Sequence, residues 1–306
     1  MIPLITIEGA TASGKTALAL DLAEALQTSI ISADSRQVYT ELNIGTAKAS
    51  EEEQSRVKHH LIDIIDPLQI YNAGSFIKDA EPIIKQNHDC GKLSIVCGGT
   101  GLYIKALLEG IFEHQPIDPE LRTKLKARLD TEGTEILYRE LSILDPVFAA
   151  RISSNDVQRI LRGLEIYQAT GKAISKHWQE QPRDSIYSTF RILIDLTRDE
   201  LYARINQRVE FMLQQGLIYE ITQVLNKGYS SQSPGLKTLG YKEFIPYLEG
   251  SRSLEECADI TAQHTRNYAK RQVTWYRKCD FDLTITSPGI SISSVIDRIT
   301  AKFNDR

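Results

Sequence analysis

The sequence predicts an α/β protein, a parallel sheet with helices on both faces, interrupted by a helical insertion. Apolar β-branched runs alternate with helix-forming runs from Leu4 to Glu109, the order of parallel crossover units. From about Pro116 to Pro182 the pattern turns purely helical. Strand-like runs then return at Phe190 and Phe281, so the sheet resumes. The expected organisation is a core of residues 1–115 and 190–306 with an insertion of residues 116–189.

Leu4-Ile5-Thr6-Ile7 leads into Gly9-Ala10-Thr11-Ala12-Ser13-Gly14-Lys15-Thr16, which fits G-x-x-x-x-G-K-[ST], and a helix-forming run, Ala17–Leu26, follows. The motif carries weight only between a strand and a helix, and both flanks are present. Its glycines let backbone N–H groups turn inward as an anion nest. The helix N-terminus adds its positive dipole end, Lys15 a point charge and Thr16 a hydroxyl for Mg²⁺. The stretch therefore reads as a loop for a di- or triphosphate, on a core resembling P-loop nucleotide hydrolases. It does not say which phosphate compound is held.

Ser29–Ala33 reads as a buried strand ending on Asp34, and ligands of open α/β sheets sit beyond the carboxyl ends of strands. A polar loop carrying Arg36 follows. Glu51-Glu52-Glu53 opens a helix that His59-His60 is expected to end, and Leu61–Asp66 is strand-like, stopped by Pro67. Ser75–Gln86 reads as a helix whose second half Pro82 leaves open. Leu93–Cys97 is a further buried strand, ending in Gly98-Gly99-Thr100-Gly101 before a helix from Leu102 to Glu109. This repeats the first strand and its loop without the lysine. Backbone must approach something closely there, and Thr100 offers a hydroxyl at the same sheet edge. The insertion carries helical runs at Leu121–Leu129, Glu135–Ile143 and Asp156–Thr170. Phe190–Leu196 is a strand, Arg198–Gln215 a long helix and Phe281–Ile285 a late strand.

A chain of 306 residues, 42% hydrophobic and 25% charged, is ordinary for a soluble globular protein. Its net charge of −4 excludes nucleic-acid binding by the molecule as a whole, so such a partner needs a local basic surface. Cys90, Cys97, Cys257 and Cys279 show no C-x-x-C pairing, which disfavours a zinc site or disulfides and fits reduced thiols in a cytosolic protein. The chain opens on a core strand and has no apolar run of membrane-spanning length, so secretion and membrane insertion are not expected.

Several groups have chemistry to offer. Asp34 admits two roles, a Mg²⁺-linked strand-end aspartate or a general base aimed into the cleft. Asp66 and Asp195 have the same strand-end form, which weakens the signal. Arg204 and Arg208 lie four apart on one helix face, suited to diphosphate oxygens, although spacing alone favours a solvated face paired with Glu200 and Glu210. Residues 264–278 hold five Lys and Arg and no acid, with His264, Tyr268, Arg271 and Trp275 on one stripe. That suits a polynucleotide backbone with bases stacking nearby, or equally a helix whose Trp275 packs inward. Gln158-Arg159-Ile160-Leu161-Arg162 is a second basic patch, for which a solvated helix face is the simpler account. His59-His60 and Cys97 lack companions at metal-ligand spacing.

In combination these blocks resemble the bacterial tRNA dimethylallyltransferases, from the phosphate loop to about Lys278. The matching stretches are residues 9–16, Asp-Ser-Arg-Gln-Val-Tyr at 34–39, His-His-Leu-Ile-Asp at 59–63 and Gly-Gly-Thr-Gly-Leu-Tyr at 98–103. Gln-Arg-Ile-Leu-Arg at 158–162, Gly-Tyr-Lys-Glu at 240–243 and Ala-Lys-Arg-Gln-Val-Thr-Trp at 269–275 follow in order. Ala10, Ala49 and Lys58 stand where proline is usual, and the zinc-finger extension of eukaryotic relatives is absent.

The resemblance implies transfer of a dimethylallyl group from dimethylallyl diphosphate to N6 of the adenine just 3′ of the anticodon, tRNA position 37. It implies that Asp34 is the base, that Thr100 contacts the target adenine, and that Arg208 binds the diphosphate together with residues 9–16. It implies Mg²⁺ on Thr16 and tRNA contacts from Asp34, Ser35, Arg36, Gln37, Thr100, Arg122, Gln158, Arg159, Ile160, Leu161, Arg162, Lys270, Arg271 and Trp275. The insertion would grip the anticodon arm of a monomeric cytoplasmic enzyme. A small-molecule kinase or nucleotide hydrolase, a non-catalytic RNA-binding protein and an enzyme prenylating free AMP are the alternatives.

Overall fold

The computed structural model describes residues 1–110, 117–180, 185–286 and 289–304, so Pro116 and Pro182, the sequence markers of the insertion, lie outside the described residues. The chain divides into two compact units, one of Met1–Leu108 with Ser185–Arg306 and one of Glu109–Asp184.

In the first unit the order is β1 (Ile2–Gly9), α1 (Lys15–Ala25), β2 (Ile30–Ser32), α2 (Glu51–Arg56), β3 (His59–His60), α3 (Ala73–Asp89), β4 (Ser94–Gly98) and α4 (Gly101–Glu109). The second unit holds α5 (Pro119–Glu132), α6 (Thr134–Leu144), α7 (Pro146–Ala149), α8 (Val157–Thr170) and α9 (Ile174–Glu180). The first unit then resumes with β5 (Tyr187–Ile194), α10 (Arg198–Gln214), α11 (Leu217–Asn226), α12 (Ile245–Leu248), α13 (Leu254–Tyr276), β6 (Leu283–Ile285) and α14 (Ile292–Asn304).

The six strands form one parallel sheet in the order β3-β2-β4-β1-β5-β6. Side chains alternate faces along a strand. Ile5 and Ile7 of β1 accordingly enter a core with Leu18 and Leu22 of α1 and Val295 and Ile299 of α14. Leu4 enters the opposite core, with Phe76 and Ile84 of α3 and Ile104 of α4. Each fully buried aliphatic side chain contributes about 1.5–3 kcal/mol. The helical unit has its own core, built on Leu125, Leu137, Leu141, Ile160 and Leu164. Among the described residues no helix is long and apolar enough to cross a membrane.

Three local expectations need correction. The helix opened by Glu51 ends at Arg56, and His59-His60 is itself strand β3, paired with Ile30-Ile31. Leu61–Asp66 is not a strand, because Leu61 and Asp63 adopt φ of 62° and 54°, incompatible with extended pairing. Helix α3 runs unbroken through Pro82, which stands on its exposed side where water can take the freed carbonyl.

The segment after Asp34 is pinned from outside the sheet. Glu220 of α11 accepts the N–H groups of Asn43, Ile44 and Gly45 and the hydroxyl of Tyr241. The Tyr241 hydroxyl donates to Glu220 Oε1 at 2.7 Å and accepts the Gly45 N–H at 3.1 Å, fully buried. Replacing Tyr241 by Phe removes one hydrogen bond from each partner, the one to the Glu220 carboxylate being charge-assisted, and is expected to cost about 1–3 kcal/mol in urea unfolding. An unchanged unfolding midpoint would show that the network holds nothing.

Candidate functional site

The carboxyl ends of β1, β2 and β4 carry the site, because neighbouring parallel strands bring the loops that follow them to one edge. Residues Gly9–Thr16 leave β1 and enter α1. Helices α2, α10 and α13 are closed by capping boxes at Ser50, Thr197 and Ser253, whereas α1 begins at Gly14 with no side-chain cap. Its first N–H groups have no intrahelical partner, which leaves a site for an anion. Ala12 is held at φ 62°, a conformation that costs an alanine about 1–3 kcal/mol and persists only where the surroundings impose it.

Cations surround this loop. Lys15 Nζ donates to the Ala10 carbonyl at 2.7 Å. Two helical turns of α10 add Arg204, donating to the Ser13 carbonyl at 3.4 Å, and Arg208, donating to Thr11 Oγ1 at 3.1 Å. The pair thus faces the loop and not solvent, while Glu200 is taken up in capping α10. Burial lowers the Lys15 ammonium to about 8, with the charge of Asp34 opposing the shift. The Arg208 guanidinium is also lowered by burial and likewise steadied by Asp34.

Asp34 follows β2. Its Oδ1 accepts the N–H groups of Arg36 at 2.8 Å and Gln37 at 3.4 Å, while Oδ2 makes no hydrogen bond among the described residues. Thr100 lies beside it, its Oγ1 accepting the Ser35 N–H at 3.1 Å and its own N–H donating to the Ala33 carbonyl at 3.2 Å. The close approach expected of the glycine turn is to β2 and to α13. A Cβ on Gly98 would fall 2.1 Å from the Ala33 carbonyl oxygen, and one on Gly101 2.2 Å from the Trp275 indole nitrogen. The Tyr268 hydroxyl reaches Thr100, and burial pushes it up to about 12, so it stays neutral.

The structure therefore assembles Asp34, Thr100, Arg208, Lys15 and the loop at one edge. Arg36, Lys270 and Arg271 are exposed, with Arg271 over the Tyr268 ring at 5.8 Å. Trp275 is half-buried against Gly101, the inward placement its stripe also allowed. Gln37 spends its amide internally, accepting from Ser32 Oγ and donating to the Ala47 carbonyl. Asp66 accepts the Tyr229 hydroxyl and the Leu68 N–H, far from the role of a strand-end metal ligand.

In the helical unit Arg122, Gln158, Arg159 and Arg162 are exposed, with Arg159 paired to Asp156 and Arg162 to Glu165. Ile160 and Leu161 differ from their neighbours in the 158–162 stretch. Both side chains are core residues of that unit, turned inward by helical periodicity. Gln272 lies inside the matching stretch 269–275 but receives no role of its own from the sequence, and its amide bonds Thr11 and Gly99. Its signal was a polar residue on the inward stripe Ala269, Gln272, Tyr276 of an otherwise basic helix.

No group of three His, Cys, Asp or Glu residues at metal-binding proximity occurs among the described residues. Thr16, exposed at the start of α1, supplies a hydroxyl. That donor set fits Mg²⁺ held mainly by substrate phosphates and water, the usual arrangement for this cation, and not an all-protein cage.

The chain is similar to known proteins over most of its length. A family model described as IPP transferase matches residues 37–279, and one described as isopentenyl transferase matches residues 2–66. The tRNA dimethylallyltransferase of Syntrophobacter fumaroxidans is 44% identical over 90% of this chain and 81% of its own. The tRNA dimethylallyltransferase 2 of Geotalea uraniireducens is 41% identical over 99% of this chain and 97% of its own. Among solved structures, a tRNA isopentenylpyrophosphate transferase from Bacillus halodurans superposes with a TM-score of 0.73 at 36% identity, covering 100% of this chain and 98% of that one. A eukaryotic dimethylallyltransferase acting on tRNA gives 0.84 at 30% identity, covering 100% of this chain and 79% of that one.

An anion entering the loop will return Lys15 toward its ordinary value. At pH values above about 8, inorganic diphosphate without divalent metal should bind the wild type with greater proton uptake than Lys15→Met, the excess vanishing by about pH 7. Calorimetry in buffers of different ionisation heat measures this. Equal uptake in the two proteins would place the anion elsewhere.

Proposed function

The chain belongs to the IPP transferase family, and on that premise we propose its reaction in full: transfer of a dimethylallyl group from dimethylallyl diphosphate to the N6 amine of adenosine 37 in tRNA. The observation that carries this reading is a carboxylate, Asp34, set beside a phosphate loop ringed by Lys15, Arg204 and Arg208. A nucleotide hydrolase needs cations at such a loop, but here Thr100 and Tyr268 add hydroxyls beside the carboxylate, suited to a second partner that is not a phosphate.

The exocyclic amine of adenine is a weak nucleophile because its lone pair is delocalised into the ring. Asp34 accepts the amine proton as the N–C bond forms, which general-base catalysis makes worth about 10²–10⁴-fold. Holding Oδ1 on the Arg36 and Gln37 amides leaves Oδ2 for that proton. On the other side the allylic C–O bond breaks and negative charge moves onto the leaving diphosphate. The amides at the start of α1, Lys15 and Arg208 meet that charge, and preorganised donors of this kind are the largest single source of rate in most enzymes. Mg²⁺ on Thr16 and the diphosphate would supply further neutralisation of the leaving group.

The target base must leave its stack to reach the edge of the sheet, as for other enzymes that work on a nucleobase. Thr100 holds it there, and Ser35, Arg36, Lys270, Arg271 and the edge of Trp275 meet neighbouring nucleotides. Splayed bases of an exposed loop are how proteins read RNA in general. The helical unit adds contacts of its own through Arg122, Gln158, Arg159 and Arg162. The enzyme acts in the cytoplasm as a monomer.

Incubation with labelled dimethylallyl diphosphate and either tRNA, AMP or no acceptor tests the reading, followed by nucleoside analysis of the tRNA. Label in N6-(dimethylallyl)adenosine at position 37, with little in AMP, is expected. Label in AMP alone, or ATP turnover without prenyl transfer, would sink it. Asp34→Asn keeps the Oδ1 bonds, so transfer should fall at least about 100-fold while tRNA affinity stays within about threefold.

A further inference from the structure

Helix α13 presents two chemically opposite sides within a single stretch. Lys270 and Arg271 are exposed, while Ala269, Gln272 and Tyr276 lie on the buried stripe. A glutamine on such a stripe has both a donor and an acceptor to satisfy, and an unpaired buried amide is strongly disfavoured. Gln272 satisfies both across the site. Its Oε1 accepts the Thr11 N–H at 2.9 Å, and its Nε2 donates to the Gly99 carbonyl at 2.8 Å.

Thr11 belongs to the phosphate loop and Gly99 immediately precedes Thr100, so one side chain spans the two glycine turns. The fit is close. A Cβ on Gly99 would lie 2.5 Å from the Gln272 amide nitrogen, so only glycine admits the amide there. Thr11 is held on its other side by Arg208, and α13 is keyed to α10 through Ala269, Ile205 and Leu201, with Ala10 of the loop in the same cluster.

We propose that Gln272 is a positioning residue for the transfer, setting the separation between the bound diphosphate and the base held at Thr100. This rests on the function given in the preceding subsection. Gln272 touches neither the leaving group nor the amine. The turns that follow β1 and β4 are rich in glycine, and glycine-rich backbone can drift where nothing ties it. In a displacement the reacting atoms must approach within about 3–3.5 Å, and a misplacement of about 1 Å can lose about 10²-fold in rate. The amide supplies the tie with the required polarity, accepting from an N–H and donating to a C=O, and it adds no charge beside the diphosphate. A hydrocarbon of equal length satisfies neither group. A carboxylate satisfies Thr11 but sets oxygen against the Gly99 carbonyl.

Gln272→Met and Gln272→Glu in the full chain provide the test. Affinities for inorganic diphosphate and for tRNA, measured separately, should stay within about threefold of wild type in both variants. Single-turnover transfer at saturating substrates should fall about 10–100-fold in Gln272→Met. In Gln272→Glu it should be low at neutral pH and recover relative to wild type as pH falls, because the protonated carboxyl regains a donor for Gly99. Taking the ratio to wild type at each pH removes the titration of Asp34. A wild-type rate in Gln272→Met, a ratio flat with pH in Gln272→Glu, or a rate loss matched by lost diphosphate affinity would each overturn the proposal. Should Gln272→Met fail to fold, the pH ratio of Gln272→Glu decides alone. Absence of transfer by the wild type would instead overturn the assigned function, a result distinct from an active enzyme indifferent to Gln272.

Discussion

Ala33, the last residue before Asp34, carries the junction on which the site depends. Its N–H donates to the Cys97 carbonyl and its own carbonyl accepts the Thr100 N–H, while Gly98 lies too close to tolerate a side chain. The pairing of β2 with β4 is thereby extended one step beyond the regular ladder, to where Thr100 and Asp34 stand side by side. Since β1 is the other neighbour of β4, the phosphate loop is fixed to the same edge by ordinary strand spacing of about 4.8 Å. Chemistry that joins a diphosphate ester to a nucleobase amine needs this adjacency before it needs any particular side chain.

Electrostatics completes what the backbone begins. Lys15, Arg204 and Arg208 rest on carbonyls and a hydroxyl of the loop, partners weaker than the anion they are suited to. Burial penalises the charges of Lys15 and Arg208, and Asp34 opposes that penalty for both. On the proposed reading a bound diphosphate relieves it further, so affinity for the donor would be stored in cations that the fold has already desolvated. On that reading the same arrangement would favour departure of the diphosphate, because those charges are in place before the bond breaks.

Much of this was legible in the chain. The phosphate loop declares itself because strand, glycines, lysine and helix must occur in one order, and the glycine turn at 98–101 announces a close approach without naming the partner. That partner, the part of α13 carrying Gln272 and Trp275, is distant in sequence, so a polar residue on an inward stripe shows there but not what it meets. The stretch around His59 misled for a different reason. Its apolar residues lie just beyond the strand, and left-handed backbone at Leu61 and Asp63 ends pairing where composition would continue it. Residues 158–162 read as one basic patch in sequence, yet helical geometry turns Ile160 and Leu161 into the core and only their neighbours outward. Spacing also undersold Arg204 and Arg208, since a solvated face and a ligand face have the same period.

The most direct measurement is a crystal structure with a non-cleavable thio analogue of dimethylallyl diphosphate and an anticodon stem–loop. The account predicts the diphosphate on the amides of residues 14–16 with Lys15 and Arg208, and an everted adenine whose N6 lies about 2.6–3.2 Å from Asp34. A diphosphate bound away from the loop, or an adenine whose amine faces away from Asp34, would contradict it.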